Sequence, residues 1–166
     1  VGVSRLIFSL WLYQHLRRLH QANLELQRGR RRFETLVENV PGVVYRCRID
    51  DEWRMEYLSP EVERVTGYAR EQLIQNREKS YADLILPEYR EIVAEKVEEA
   101  VGQNQPFQIT YPIRAQDGSV RWLWERGRSV GKVKGDLLEG LLLDITDQRE
   151  AEILREQMFL YSNDLL

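Results

Sequence analysis

Apolar positions in the first forty residues recur at alternating intervals of four and three. Leu12, Leu16, Leu19, Asn23, Leu26, Arg30, Phe33, Val37 and Val40 form a heptad seam with Leu12 at d and Asn23 at a. The seam predicts one long helix over residues 3–39, stopped by Pro41-Gly42. An Asn at a fixes register in a two-stranded coil, and the same stripe also suits a helix lying on its own domain. Gly29 weakens the seam, at a helical cost of about 1 kcal/mol.

From Val43 the period falls to two. Residues 43–49 and 54–58 read as a hairpin that turns at Asp50-Asp51-Glu52. Ser59-Pro60 opens a short helix, with Ser59 as its N-cap, that ends at Gly67. Two more short helices are expected at residues 69–76 and 81–85, then a longer one over 87–102 with Tyr89, Ile92, Val93, Val97 and Val101 on its apolar stripe. Phe107, Ile109, Tyr111 and Ile113 alternate on a third strand. After the Asp117-Gly118 turn, Val120, Trp122 and Trp124 point one way on the fourth, and Arg121, Leu123 and Glu125 the other. A second turn at residues 131–136 leads to a strand apolar on both faces, and both faces are therefore expected to be covered. At Thr146 the period returns to 3.6. A final helix begins there, with Asp147 and Glu150 at capping-box spacing and Ala151, Leu154, Met158, Tyr161 and Leu165 on a second seam.

Charge and cysteine content narrow the function classes. The net charge of -3 argues against general nucleic-acid binding. It is unevenly placed: residues 1–40 hold seven Arg against three Glu, or +4, so the remainder carries -7. The run Arg28-Gly29-Arg30-Arg31-Arg32 reads as a solvated helix face or as a contact to phosphate groups. One cysteine, Cys47, excludes an intramolecular disulfide and fits a reducing compartment. Residues 6–13 are apolar except Ser9, but eight residues of helix span only about 12 Å of a ~30 Å hydrocarbon core. Trp11, Tyr13, Arg17 and Arg18 resemble the cytoplasmic end of a membrane helix, while Arg5 opposes that reading. The expected location is cytoplasmic, with attachment of the parent protein to the inner membrane, through an anchor upstream, left open.

The order of elements, together with particular residues, resembles the PAS domain family. The resemblance is closest to the subgroup common in bacterial sensor histidine kinases and cyclic-dinucleotide enzymes. It is carried by residues 33–46, by Tyr57-Leu58-Ser59-Pro60 through Val65-Thr66-Gly67-Tyr68, by Asp117-Gly118-Ser119-Val120-Arg121-Trp122, and by Gly140 through Thr146. Asp144-Ile145-Thr146 is similar to the family's junction between sheet and signalling helix. The resemblance implies an α+β PAS fold: a five-stranded antiparallel sheet in the order 2-1-5-4-3, with short helices on one face and long helices at both ends. The domain boundaries that follow are residues 1–32 for the leading helix, 33–147 for the PAS domain and 148–166 for a signalling helix. The last ten residues resemble the start of another PAS domain. The implied role is a sensory module in signal transduction, such as a two-component system or a diguanylate cyclase, that relays ligand or partner state to an output domain outside this chain. The rival is a ligand-free dimerisation or spacer module. A homodimer through the leading helix and contacts with neighbouring domains are the expected partners.

Members of this family hold haem, flavin, a small metabolite or nothing. Haem and photoreactive flavin are not expected: His15 and His20 lie outside the PAS stretch, and Arg77 follows Asn76 where the light-sensing subgroup has its reactive Cys. Non-covalent flavin or a small metabolite remains open, and the ligand is otherwise unknown. Tyr45, Tyr57, Tyr111, Trp122 and Trp124 are the candidate pocket residues, with Arg126 to pair an acidic ligand. Asp144, Ile145 and Thr146 are the candidate coupling residues. Neither a catalytic set nor a metal site is legible, so the chain is expected not to be an enzyme.

Overall fold

The computed structural model describes residues 2–50, 53–131 and 137–163. The Asp51-Glu52 part of the first turn, Lys132 to Asp136 of the second, and Leu165 of the last seam lie outside them. The chain divides into two compact units, residues 1–39 and 40–166.

The first unit is the helix α1 (Gly2–Glu38). It matches the single helix expected over residues 3–39, and Gly29 does not interrupt it, because one Gly costs a helix of this length only about 1 kcal/mol. Its seam residues Leu12, Leu16, Leu19 and Leu26 are exposed in the single chain. Among the described residues no helix is long and apolar enough to cross a membrane.

The second unit is one antiparallel sheet of five strands in the order β2-β1-β5-β4-β3, as the sequence resemblance implies. The strands are β1 (Val43–Arg48), β2 (Met55–Leu58), β3 (Phe107–Arg114), β4 (Val120–Val130) and β5 (Leu137–Asp144). Between β2 and β3 lie α2 (Glu61–Thr66), α3 (Arg70–Leu73), a 3-10 turn (Tyr81–Leu84) and α4 (Pro87–Gln103); α5 (Thr146–Asn163) follows β5. The inner face of the sheet carries Val43, Tyr45 and Cys47 from β1, Tyr111 from β3, Leu123 and Glu125 from β4, and Leu138 and Leu142 from β5, all buried in one core with Val93 and Val97 of α4. The opposite face of β5 carries Leu141 and Leu143, half-buried.

Three local expectations change. Ser59 does not cap α2; Pro60 occupies the N-cap, and the Ser59 hydroxyl accepts from the Val44 N–H at 2.9 Å, tying the helix entrance to β1. The helix expected over residues 69–76 stops at Leu73. There Ile74 pairs with Met55, Gln75 donates its N–H to the Met55 carbonyl at 2.8 Å, and Gln75 and Asn76 take left-handed conformations that end a helix. The capping box at Asp147 and Glu150 is replaced by Asp144, whose Oδ1 accepts from the Thr146 N–H at 3.0 Å and its hydroxyl at 2.6 Å. A carboxylate two residues upstream reaches the orphan donors of the first turn before a side chain inside the helix can.

Two glycines shape the inner face. Gly127 and Gly140 face each other across β4 and β5, and Gly140 also pairs with Tyr45. A Cβ on Gly140 would lie 2.7 Å from the Tyr45 ring and hydroxyl, and one on Gly127 would lie 2.7 Å from that hydroxyl. The absence of both side chains leaves a trough in which the tyrosine lies.

Candidate functional site

Tyr45 leaves that trough with its hydroxyl on Glu125. The Glu125 side chain, 7% exposed, accepts from the Tyr45 hydroxyl through Oε1 and from the Tyr111 hydroxyl through Oε2 at 2.6 Å. The Tyr111 hydroxyl lies 3.2 Å from that of Tyr81. Tyr111 spends its one hydrogen on Glu125, so Tyr81 is the donor in that pair. Burial pushes the Glu125 carboxyl up, the Tyr111 and Tyr45 hydroxyls draw it back, and the net effect is a raised pKa. Burial and then the nearby Glu125 charge push Tyr45, Tyr81 and Tyr111 upward too, and burial does the same to Cys47. None of these groups is an activated nucleophile.

The cluster forms the floor of a cavity of about 200 Å³. Tyr45 and Cys47 of β1, Met55 of β2, Tyr111 and Glu125 line the sheet side. Trp53, Tyr81, Ala82, Ile85, and Arg90, Val93 and Ala94 of α4 line the other. Trp53 reaches it from a left-handed backbone conformation (φ 50), rare for so bulky a residue. The Arg90 guanidinium is exposed, and donates to the Ile85 and Asp83 carbonyls, each at 3.0 Å. Among the described residues no cluster of three or more His, Cys, Asp or Glu is set to hold a metal ion.

Of the residues singled out by sequence, Tyr45 and Tyr111 line this cavity. Tyr57, Trp122, Trp124 and Arg126 do not. Trp122, Trp124 and Arg126 alternate with the inner-face positions Leu123 and Glu125, and the two-residue period of a strand sends them to the opposite side. Tyr57 pairs with the outward Arg46, and a register shift between β1 and β2 puts Met55, two residues before it, on the inner face with Leu58. Arg126 is exposed there and has no access to a ligand in the cavity. Glu125, Tyr81, Trp53 and Arg90 were missed as site residues. Glu125 had a signal: a carboxylate in register with Leu123, on the apolar side of a central strand.

Trp122 occupies a different position of consequence. Its ring meets Tyr89 of α4 edge-on, with centroids 5.8 Å apart, and carries the Arg149 guanidinium of α5 at 4.1 Å. The backbone N–H of Trp122 donates to the Thr146 hydroxyl at 2.9 Å, and its backbone carbonyl accepts from the Ile145 N–H at 2.8 Å. Asp144, Ile145 and Thr146 are thereby brought together with β4 at the start of α5. Asp144 also accepts from Arg121 at 3.3 Å. Burial raises the Asp144 carboxyl, but the Thr146 hydroxyl and N–H, with Arg121, hold it below the ordinary carboxylate value.

A sequence profile described as the PAS fold matches residues 55–139, just over half of the 166 residues. The chain belongs to the PAS family. The chain is similar to a curated protein, the methyl sulfide methyltransferase-associated sensor of Methanosarcina acetivorans, with 26% identity over 151 residues; the match takes in 89% of this chain and 15% of that protein. The chain therefore spans only about 15% of the length of the curated relative. Among solved structures, a sensory box histidine kinase/response regulator from Burkholderia thailandensis superposes with a TM-score of 0.60 at 23% identity, covering 80% of this chain and 98% of that one. The N-terminal domain of a diguanylate cyclase with PAS/PAC sensor from Marinobacter aquaeolei gives 0.55 at 18% identity, over 65% and 98%. At these identities the likeness is one of fold.

Proposed function

We propose that this PAS domain is the sensory input of a larger signal-transduction protein, in which a small molecule in the inner cavity biases α4 and the sheet, and Trp122 passes the bias to α5. The observation that carries this reading is the placement of Trp122. Tyr89 sits next to the cavity-lining Arg90 on α4, and the ring it touches is the one that Arg149 of α5 covers. A shift of α4 against β4 changes contacts at the first turn of α5 without crossing the rest of the core. The downstream output domain would be of the kind named for the similar structures, a histidine kinase or a diguanylate cyclase.

Hydrogen exchange on Asp144→Ala tests the relay. Removing the acceptor for two Thr146 donors and Arg121 is expected to cost about 1–2 kcal/mol, well below the 5–15 kcal/mol of a typical domain. Exchange should quicken after Thr146 while β1, β4 and β5 stay protected. Global loss of protection would instead make Asp144 a residue of the fold, and unchanged exchange would remove the junction from the relay. The depressed Asp144 carboxyl supplies stability above its unfolded pKa that is lost as pH falls through the lower folded value, so the wild-type helix should loosen only in acid.

A second reading, a ligand-free dimerisation module, is favoured by the exposed seam of α1, with Leu16 and Leu19 each 55% exposed. A second copy placed in parallel would bury Leu12, Leu16, Leu19 and Leu26 and pair Asn23 with Asn23. Light scattering is expected to give a dimer for the full chain at tens of micromolar and a monomer for a chain beginning at Arg32. Equal masses for the two would show that α1 is not the dimer contact.

A further inference from the structure

The cavity floor is poor in donors and rich in acceptors. Tyr45 and Tyr111 give their hydroxyl hydrogens to Glu125, and Tyr81 gives its own to Tyr111. What the floor presents inward is oxygen lone pairs and a buried carboxyl group, whose ionised form a bound cation would stabilise. Burial and the two hydroxyls are what act on that group; no cation among the described residues does so. Four aromatic side chains, Tyr45, Tyr81, Tyr111 and Trp53, line the same space. Aromatic quadrupoles attract a cation, most strongly where water is excluded, and a carboxylate adds a charge-assisted hydrogen bond to an ammonium N–H. An anion would meet the Glu125 charge, and a neutral acceptor would find no hydroxyl hydrogen free on the floor.

We infer that the cavity takes a small organic ammonium ion, its cationic head on Glu125 among the tyrosines and its alkyl body against Met55, Ile85 and Val93. This rests on the reading of the cavity as the ligand site of the PAS domain. The size agrees: about 200 Å³ is below the ~300–1,000 Å³ of drug-sized pockets and close to the ~150 Å³ that encloses one benzene ring. The Arg90 cation at the rim, held on the Ile85 and Asp83 carbonyls, opposes a second positive group, so the far end of the ligand is neutral or acidic.

The test uses three molecules of one shape and different charge: tert-butylammonium, tert-butanol and pivalate, titrated calorimetrically into the full chain at matched ionic strength. Tert-butylammonium is expected to bind about tenfold or more tightly than tert-butanol, with pivalate weakest. Glu125→Gln should abolish the preference. Arg90→Gln, on the exposed rim, is expected to tighten the cation and weaken pivalate further, and this opposite-signed readout stands even where the Glu125 variant does not fold. Equal or tighter binding of the alcohol or the acid, no binding of any of the three, or a preference unaffected by both variants would overturn the inference. Exchange at α5 is read in the same samples. Selective ammonium binding with unchanged α5 exchange would sink the relay and leave the ligand class standing. Binding of the alcohol or acid that alters α5 exchange would do the reverse.

Discussion

Tyr111→Phe is expected to lower the unfolding free energy by about 2–4 kcal/mol, a large share of a domain's stability. The hydroxyl it removes makes two contacts: it donates to Glu125 at 2.6 Å and accepts from Tyr81. The variant leaves a buried carboxylate one donor short and strands the Tyr81 O–H, and losing one partner of a buried charge costs more than the bond itself contributes net. The effect depends on pH. A carboxyl whose folded pKa is raised contributes stability that is full below its unfolded value and lost as pH rises through the folded one. The wild type should therefore lose stability as pH climbs above the ordinary glutamate range. Tyr111→Phe, with one donor fewer, should carry that loss to higher pH, and adding Glu125→Leu should flatten the profile without restoring the stability, because the Tyr45 hydroxyl then lacks its acceptor too. Urea unfolding at several pH values measures all three. A Tyr111→Phe midpoint equal to that of the wild type at every pH would show that Glu125 does not depend on this hydroxyl.

Gly140→Ala is expected to cost about 2–3 kcal/mol although it adds one methyl group in an ordinary strand. The new Cβ would lie 2.6 Å from the Arg126 carbonyl oxygen and 2.7 Å from the Tyr45 ring. The first neighbour is backbone of the adjacent strand and cannot swing away. The second can leave only by lifting Tyr45 out of its trough and taking its hydroxyl off Glu125. The same substitution at Gly102, where a Cβ meets nothing within 4 Å, serves as the control and should be neutral or slightly stabilising in its helix. A lowered midpoint for Gly140→Ala together with a Glu125 that titrates higher would place the damage in the cluster. Matching midpoints for the two variants would show that the trough does not hold the tyrosine.

The elements could be read because each rests on a local rule. The alternation at Phe107, Ile109, Tyr111 and Ile113 marks β3, and the left-handed Gly67 marks the end of α2. The change of period at Thr146 marks the start of α5, and the resemblance carried the strand order. The site was half legible. Tyr45 and Tyr111 were singled out as aromatic strand residues, and so were Trp122 and Trp124, since size and aromaticity alone do not say which face of a sheet becomes the pocket. Leu123 and Glu125 share a face in the sequence as they do in the fold. Nothing within β4 tells that the tyrosines of β1 and β3 converge on that carboxylate.

By itself, the sequence determined the kind and order of the elements and the faces of β3 and β4. These follow from periods, caps and turn residues that act within a few positions of the chain. Only the tertiary structure decided that Glu125, eighty residues from Tyr45 and fourteen from Tyr111, is held by both, and that Tyr89 and Arg149 meet on Trp122. Those contacts join β1, β3, β4, α4 and α5. Their partners are set by strand order and by where two missing side chains leave room, and neither quantity exists until the sheet has formed.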